Sequence, residues 1–315
     1  MTRVAAVDLG TNSTRLLVAD VEDGRVDEVA RRLRITRLGE GVDARGRLLP
    51  LPIARVRNCL ADYRRVVEEL GAERTLCVAT SAVRDAENGE AFLGEVEWSY
   101  GFETRLLSGE EEALLTFRGV TAGRELADGT VVIDVGGGST ELVVGGGSGV
   151  ESHESVDVGS VRMTERFLGS DPPASSELAE CAAAVRTAVG ERAPARAAIG
   201  VAGTVTSLAA LDLGLVEYDP ARVHGHRLSA AAVEAQLERL AALPLGARRR
   251  VPGLEPDRAP VIVAGSVVVL EVLRAFGLDG LEASEHDLLH GAALAAAELP
   301  ARDEGAAPAG AYTCC

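Results

Sequence analysis

Two stretches decide the reading of this chain: Val7-Asp8-Leu9-Gly10-Thr11-Asn12-Ser13-Thr14-Arg15-Leu16-Leu17-Val18 and Ile133-Asp134-Val135-Gly136-Gly137-Gly138-Ser139-Thr140-Glu141-Leu142-Val143-Val144. They align residue for residue without a gap. Each reads as an apolar strand ending near an Asp, a tight turn of Gly, Ser, Thr or Asn, and a second apolar strand. Glycine lets the backbone turn sharply and approach a ligand closely. Successive backbone N–H groups in such a turn form an anion-binding concavity. An Asp just ahead of the turn is placed to hold a divalent cation. Two copies in one chain predict two half-sites facing each other across a cleft, with a phosphate chain and a metal between them.

Working outward from the first copy, residues 3–20 read as a hairpin, and 21–29 as a third strand beyond the Asp23-Gly24 turn. Helical periodicity over 52–70 stops at Gly71. Then come a strand over 75–80, helical segments over 81–88 and 90–100, a strand over 102–107 and a helix over 109–120. This is an α/β layer structure. From Gly129 the second copy opens a similar block: a hairpin over 130–145, a Gly-rich turn over 145–149 and a strand near 154–158. Helices over 175–190 and 229–243, a strand over 197–201, an apolar strand over 258–265 and a helix over 267–276 follow. A short strand over 281–284 and a last helix over 287–298 close the block. The expected division is 1–125 and 126–286, with a helix near 287–300 packing back on the first part and a disordered tail over 301–315.

Composition narrows the setting. The chain has 315 residues, 47% of them hydrophobic and 3% aromatic, which is enough for two domains with an aliphatic core. No apolar run reaches membrane-spanning length and the N-terminus has no signal pattern, so a cytoplasmic protein without membrane partners is expected. The five cysteines show neither a disulfide framework nor CxxC spacing. All 32 basic residues are Arg, which excludes a lysine phosphate clamp or a Schiff-base enzyme. The formal charge of −16 repels nucleic acid, so a phosphate ligand must be held by local donors, Arg side chains and metal. There is no GxxxxGK[ST], and no GxGxxG opens a helix after a strand, so P-loop and dinucleotide sites are set aside.

The motifs then become specific. Besides Asp8-Leu9-Gly10-Thr11-Asn12-Ser13 and Asp134-Val135-Gly136-Gly137-Gly138-Ser139-Thr140-Glu141, the chain carries Ala79-Thr80-Ser81-Ala82-Val83-Arg84, Ser108-Gly109-Glu110-Glu111-Glu112-Ala113 and Gly159-Ser160-Val161-Arg162. Ala202-Gly203-Thr204, Ala264-Gly265 and Ser284-Glu285-His286-Asp287 continue the series. In these segments, spread over residues 4 to about 298, the chain resembles the exopolyphosphatase/guanosine pentaphosphate phosphatase family of the actin-like, sugar kinase and Hsp70 superfamily. The resemblance implies an α/β fold of two ribonuclease H-like (actin-like ATPase) domains flanking an active-site cleft. It implies hydrolysis of terminal phosphoanhydride bonds, with Mg2+, or Mn2+ in its place, as cofactor. Inorganic polyphosphate is the leading substrate and guanosine pentaphosphate, a stringent-response nucleotide, the alternative. A homodimer is a further implication.

Phosphoryl transfer to water needs positioned phosphates, neutralised phosphoryl charge and an oriented nucleophile. Glu112 matches the family's proposed general base; Glu110 and Glu111 beside it read as solvated first-turn residues that favour the helix dipole. Asp134 reads as a metal ligand or water-positioner, Glu141 as a third catalytic carboxylate across the hairpin, and Asp8 as the counterpart metal ligand in the first half. Gly10, Thr11, Asn12, Ser13, Gly136, Gly137, Gly138, Ser139, Thr140, Gly203 and Thr204 are the expected phosphate-binding turn residues. Arg84 adds a planar guanidinium suited to phosphate oxygens, with Arg162 and Arg258 as further candidates. Arg248-Arg249-Arg250 reads as a solvated loop. His224 and His226, read as lying on a strand, and His286 and His290 are expected to be structural.

A kinase of the same fold acting on a sugar or acetate, and a non-catalytic alarmone sensor, compete with the hydrolase reading. The Ser-Gly-x-Glu-Glu-Ala segment argues against the kinase, and retention of Glu112, Asp134 and both turns argues against the sensor.

Overall fold

The strand Thr2–Leu9 (β1) is apolar on both faces, and it lies at the centre of a sheet covered on both sides. Ala5, Val7 and Leu9 share one core with Val56, Leu60 and Tyr63 of the helix Pro50–Glu69. Val4 and Ala6 share the opposite core with Leu289, Ala292 and Ala293 of the helix Leu288–Glu298. The computed structural model describes residues 1–300, so the expectation for the tail over 301–315 lies outside the described residues. The chain divides into two compact units. One is Met1–Arg124 with the helix Leu288–Glu298, and the other is Glu125–Asp287.

In the first unit β1 is followed by Ser13–Glu22 (β2), Arg25–Ile35 (β3), Arg74–Ala79 (β4) and Glu103–Leu106 (β5). The sheet order is β3-β2-β1-β4-β5, with β1, β2 and β3 antiparallel and β4 and β5 parallel to β1. Asp23 and Gly24 make the expected turn with positive φ values of 49° and 77°. The third strand runs on to Ile35, beyond its expected end.

In the second unit the strands are Thr130–Val135 (β6), Thr140–Gly146 (β7), Gly149–Val156 (β8), Ala197–Val201 (β9), Arg227–Ser229 (β10) and Gly280–Ala283 (β11). Read from the β8 edge, the order β8-β7-β6-β9-β11 repeats the first sheet in both sequence and direction, with β10 added antiparallel at the far edge. The internal repeat is therefore a repeat of whole sheets.

Three local expectations are corrected. The run over 258–265 is no strand: Ile262–Ala275 is one buried helix, and its β-branched residues face neighbouring helices rather than a ladder. The helix after β4 is only Ser81–Arg84. Gly89 starts a new helix there, so close to the Val83 carbonyl that a Cβ on it would lie 2.0 Å from that oxygen. His224 and His226 flank Gly225 in a turn ahead of β10, not on a strand.

Candidate active site

Both glycine turns close in the same way. Gly10 N–H donates to the Ser13 carbonyl at 3.0 Å, and Gly136 N–H to the Ser139 carbonyl at 3.0 Å. Each turn is backed by a segment that takes up its carbonyls. Thr11 O accepts from Gly39 N at 2.8 Å, and Asn12 O accepts from Thr36 N at 3.1 Å and Arg37 N at 2.8 Å. In the second unit the backing comes from the helix Ser160–Phe167. Gly136 O accepts from Ser160 N at 2.9 Å, and Gly137 O from Val161 N at 2.8 Å and Arg162 N at 3.1 Å. Arg162 Nε donates to Gly138 O at 2.7 Å. In a trans peptide the C=O and N–H point in opposite directions, so the amides of Gly137, Gly138 and Ser139 are turned away from that helix. Gly159 makes this close approach possible, because a Cβ there would lie 2.5 Å from Gly137 C and O.

Thr14 and Thr140 lie beneath the turns rather than on them. The Thr14 hydroxyl meets that of Thr36 at 2.9 Å, and the Thr140 hydroxyl donates to Val158 O at 2.6 Å. Thr140, expected among the phosphate-binding residues, thus spends its side chain fastening the turn to the segment between β8 and the helix Ser160–Phe167.

The carboxylates of the two halves differ. Asp8 is buried and opposite Arg15, whose Nε donates to Asp8 Oδ2 at 2.8 Å. At the matching register position Asp134, 5% exposed, stands opposite Glu141, 1% exposed. Glu141 is in turn opposite Ser155, whose hydroxyl donates to Glu141 Oε1 at 2.8 Å. Two buried carboxylates in adjacent positions repel unless a cation or a proton intervenes. Neither Arg15 nor Ser155 was among the expected site residues; the hairpin register pointed to Arg15, seven residues beyond Asp8.

Glu112 opens the helix Gly109–Thr121 and is 6% exposed. Arg84 Nη1 donates to Glu112 Oε2 at 3.2 Å and to Leu107 O at 2.8 Å, so one guanidinium orients the carboxylate and ties it to the end of β5. Glu110 and Glu111 are exposed, as expected. Glu111 also closes a capping box, accepting from Ser108 N at 2.8 Å while Ser108 Oγ accepts from Glu111 N at 3.1 Å. Ser-x-x-Glu is a sequence signature of that box.

The Ala202-Gly203-Thr204 turn follows β9 and starts the helix Ala202–Asp212. Ala202 has φ 66°, a strained value for a residue with a Cβ. The Arg258 guanidinium lies close against Gly203; a Cβ on Gly203 would meet Nη1 at 1.7 Å and Cζ at 2.1 Å. Thr204 is buried over Gly265, where a Cβ would come 2.8 Å from its Oγ1. In each unit the candidate residues leave the carboxyl ends of three neighbouring parallel strands. In the first unit Gly10 follows β1, Ser81–Arg84 follows β4 and the Glu112 helix follows β5. In the second unit Gly136 follows β6, Ala202 follows β9 and Ser284 follows β11. That end of an α/β sheet is where ligands bind.

The remaining candidates lie apart from these turns or are built in. His226 Nε2 pairs with Asp212 Oδ2 at 2.7 Å, and His290 is fully buried in the first unit with Glu28 Oε1 at 3.1 Å. The His224 and His286 rings meet tilted by 33°, 4.7 Å between centroids, and His224 accepts the Glu285 N–H at 3.1 Å. Arg248, expected in a solvated loop, is instead buried, because backbone carbonyls surround its guanidinium.

Residues 17–298 match the model of the Ppx/GppA phosphatase family. The chain belongs to that family. It is 41% identical to Exopolyphosphatase 2 of Mycobacterium tuberculosis, over 94% of this chain and 99% of that protein. Among solved structures, an exopolyphosphatase-like protein is 38% identical with a TM-score of 0.85, covering 93% of this chain and 98% of the other. The Aquifex aeolicus Ppx/GppA family member is 33% identical with a TM-score of 0.77, covering 94% and 97%. The two sheets with their shared strand order are thus the two-domain α/β fold of Ppx/GppA proteins.

Proposed function

We propose that this Ppx/GppA protein is an exopolyphosphatase that releases orthophosphate from the ends of inorganic polyphosphate. The observation that carries the reading is the buried Glu112 carboxylate fastened to Arg84. A glycine turn that holds phosphate serves a kinase or a sensor equally well; a buried, oriented carboxylate is what activation of water requires in addition. Similarity to Exopolyphosphatase 2 over nearly the full length of both chains supports the same substrate class.

In this reading water adds to the terminal phosphorus and the bond to the shortened chain breaks. The departing oxygen keeps the electron pair, and Glu112 accepts the proton of the water. In the first unit the amides of the Gly10–Ser13 turn and Arg84 hold phosphoryl oxygens as charge moves onto the leaving group. Mg2+, or Mn2+ in its place, fits Asp134 and Glu141, since this ion takes one or two carboxylates together with water and substrate phosphates. It fits Asp8 less well, because Arg15 already holds that carboxylate. When bound, the cation would neutralise charge on the phosphoryl oxygens. Cys59, Cys77 and Cys181 are buried free thiols, in keeping with a reducing, cytoplasmic setting. Burial pushes the Cys77 thiol up and raises that of Cys181 to about 11, so both stay protonated and inert.

The test is phosphate release, with Mg2+, from short and long polyphosphate, guanosine pentaphosphate and ATP, by the wild type and Glu112→Gln. Release from polyphosphate that collapses in the variant is the expected result. Preference for guanosine pentaphosphate would replace the substrate and keep the chemistry. No release from any of them would overturn the hydrolase reading.

A further inference from the structure

We propose that Arg248 is a positioning residue for phosphate binding, acting through Arg258; the inference takes its ligand from the polyphosphate reading. Arg248 is 3% exposed, and its guanidinium is forked among three backbone carbonyls of two segments. Nε donates to Leu240 O at 3.0 Å, Nη2 to Leu243 O at 2.8 Å and Nη1 to Ala259 O at 3.2 Å. The first two carbonyls lie at and just beyond the end of the helix Ala230–Ala241, where carbonyls lack intrahelical donors and a cation is favoured. Those two bonds are ordinary capping.

The third bond is different. Ala259 is the residue next to Arg258, and its carbonyl is fixed by a rigid, planar donor rather than by a neighbouring turn. The Arg258 backbone is pinned on its other atoms as well: its N–H donates to Glu255 O at 2.9 Å, and its own carbonyl accepts from Val261 N at 3.0 Å and Ile262 N at 3.1 Å. The result is a guanidinium laid on Gly203 so closely that not even a methyl group fits between them. Its Nε also pairs with Glu255 Oε2 at 3.3 Å, so backbone and side chain are both held here. A one-residue lever from Ala259 to Arg258 therefore passes any slackening at Arg248 to the Ala202-Gly203-Thr204 turn. Burial pulls the Arg248 pKa down, partly countered by Asp171, yet an arginine remains a cation throughout. Lysine has no planar fork and cannot reproduce three diverging bonds; methionine can fill the space but makes none of them.

The experiment is a double-mutant cycle read by tripolyphosphate binding in calorimetry and by phosphate-release kinetics. It uses the wild type, Arg248→Met, Arg248→Lys, Arg258→Ala and the Arg248→Met/Arg258→Ala double variant. Arg248→Met is expected to raise Kd and KM about tenfold and to change kcat by less than about threefold, since it misplaces a binding group. Arg248→Lys should lie between it and the wild type. The double variant should bind no more weakly than Arg258→Ala alone, because coupled residues are not additive. Losses that multiply in the double variant, or a fall in kcat at unchanged Kd, would overturn the proposal. If Arg248→Met fails to fold, the same cycle with Arg248→Lys decides. A wild type that binds tripolyphosphate without hydrolysing it would sink the hydrolase reading while the binding cycle still tests Arg248. A wild type that does not bind it would sink both.

Discussion

Asp134 and Glu141 stand directly opposite one another on β6 and β7, at the register position where β1 and β2 pair Asp8 with Arg15. The duplicated hairpin has kept its backbone and reversed one charge. The first half sets an arginine opposite its carboxylate, whereas the second sets two carboxylates face to face. Glu141→Arg would copy the first arrangement into the second. The variant should fold with an arginine facing Asp134, and phosphate release should fall by about 100-fold or more if a cation is part of the chemistry. Mg2+ should raise the melting temperature of the wild type and leave that of the variant unmoved. An equal Mg2+ shift in both would remove these carboxylates from the metal assignment.

Adjacent glutamates on one helix should behave oppositely. Glu112→Gln is expected to lower kcat by about 10²–10⁴-fold with little change in KM, the range for a lost general base. Glu111→Ala opens the capping box instead and should cost about 0.3–1.5 kcal/mol of stability at nearly full kcat. Steady-state kinetics and urea unfolding on the two variants separate the roles.

Glycines can be sorted by what a methyl group would meet. At Gly159 it would strike the Gly137 peptide at 2.5 Å, so Gly159→Ala should cost about 2 kcal/mol or more and weaken phosphate binding by disturbing the turn. Gly94, within the helix Gly89–Tyr100, has open space, and Gly94→Ala should stabilise by about 0.5–1 kcal/mol. Denaturant midpoints for both variants check the pair.

Glu177 accepts hydrogen bonds from Ala174 N at 2.8 Å, Ser170 N and Oγ at 3.0 Å each and Gly169 N at 3.1 Å. The Ala174 bond first, and then those from Ser170 and Gly169, hold its carboxyl below the ordinary 4.5. A depressed folded value means stability that is present above the unfolded value and lost as pH falls through the folded one. The advantage of wild type over Glu177→Gln should therefore be constant above pH 4.5 and shrink below it, as measured by unfolding at a series of pH values. An advantage that persists through the acid range would show that this carboxyl is not linked to folding.

The hairpins were legible because apolar strands flanking a glycine turn have few other solutions, and the seven-residue spacing of Asp134 and Glu141 set them face to face. The segment over 258–265 misled because a run of Val, Ile and Ala reads alike as a central strand or a buried helix. Arg248 was illegible for a different reason. Three consecutive arginines read as solvated, and the carbonyls that draw the first of them inside come from residues 240, 243 and 259, which meet it only after folding. The Arg258 contact with Gly203 is likewise a product of tertiary approach. The Ser108-Glu111 box, by contrast, has a purely local Ser-x-x-Glu signature, which the acidic run around it concealed.

The helix Leu288–Glu298 completes the first unit from the far end of the chain. It seals one face of the sheet with Leu289, Ala292 and Ala293, sits against Leu115 through Gly291, and adds the Arg118–Glu298 ion pair. On the ribosome, Val4, Ala6, Leu17 and Val78 therefore stay uncovered by this helix until residues 288–298 have been made. A nascent chain that stalls after residue 287 carries an apolar sheet face with no partner of its own, a surface for chaperones to hold and for other stalled chains to stick to.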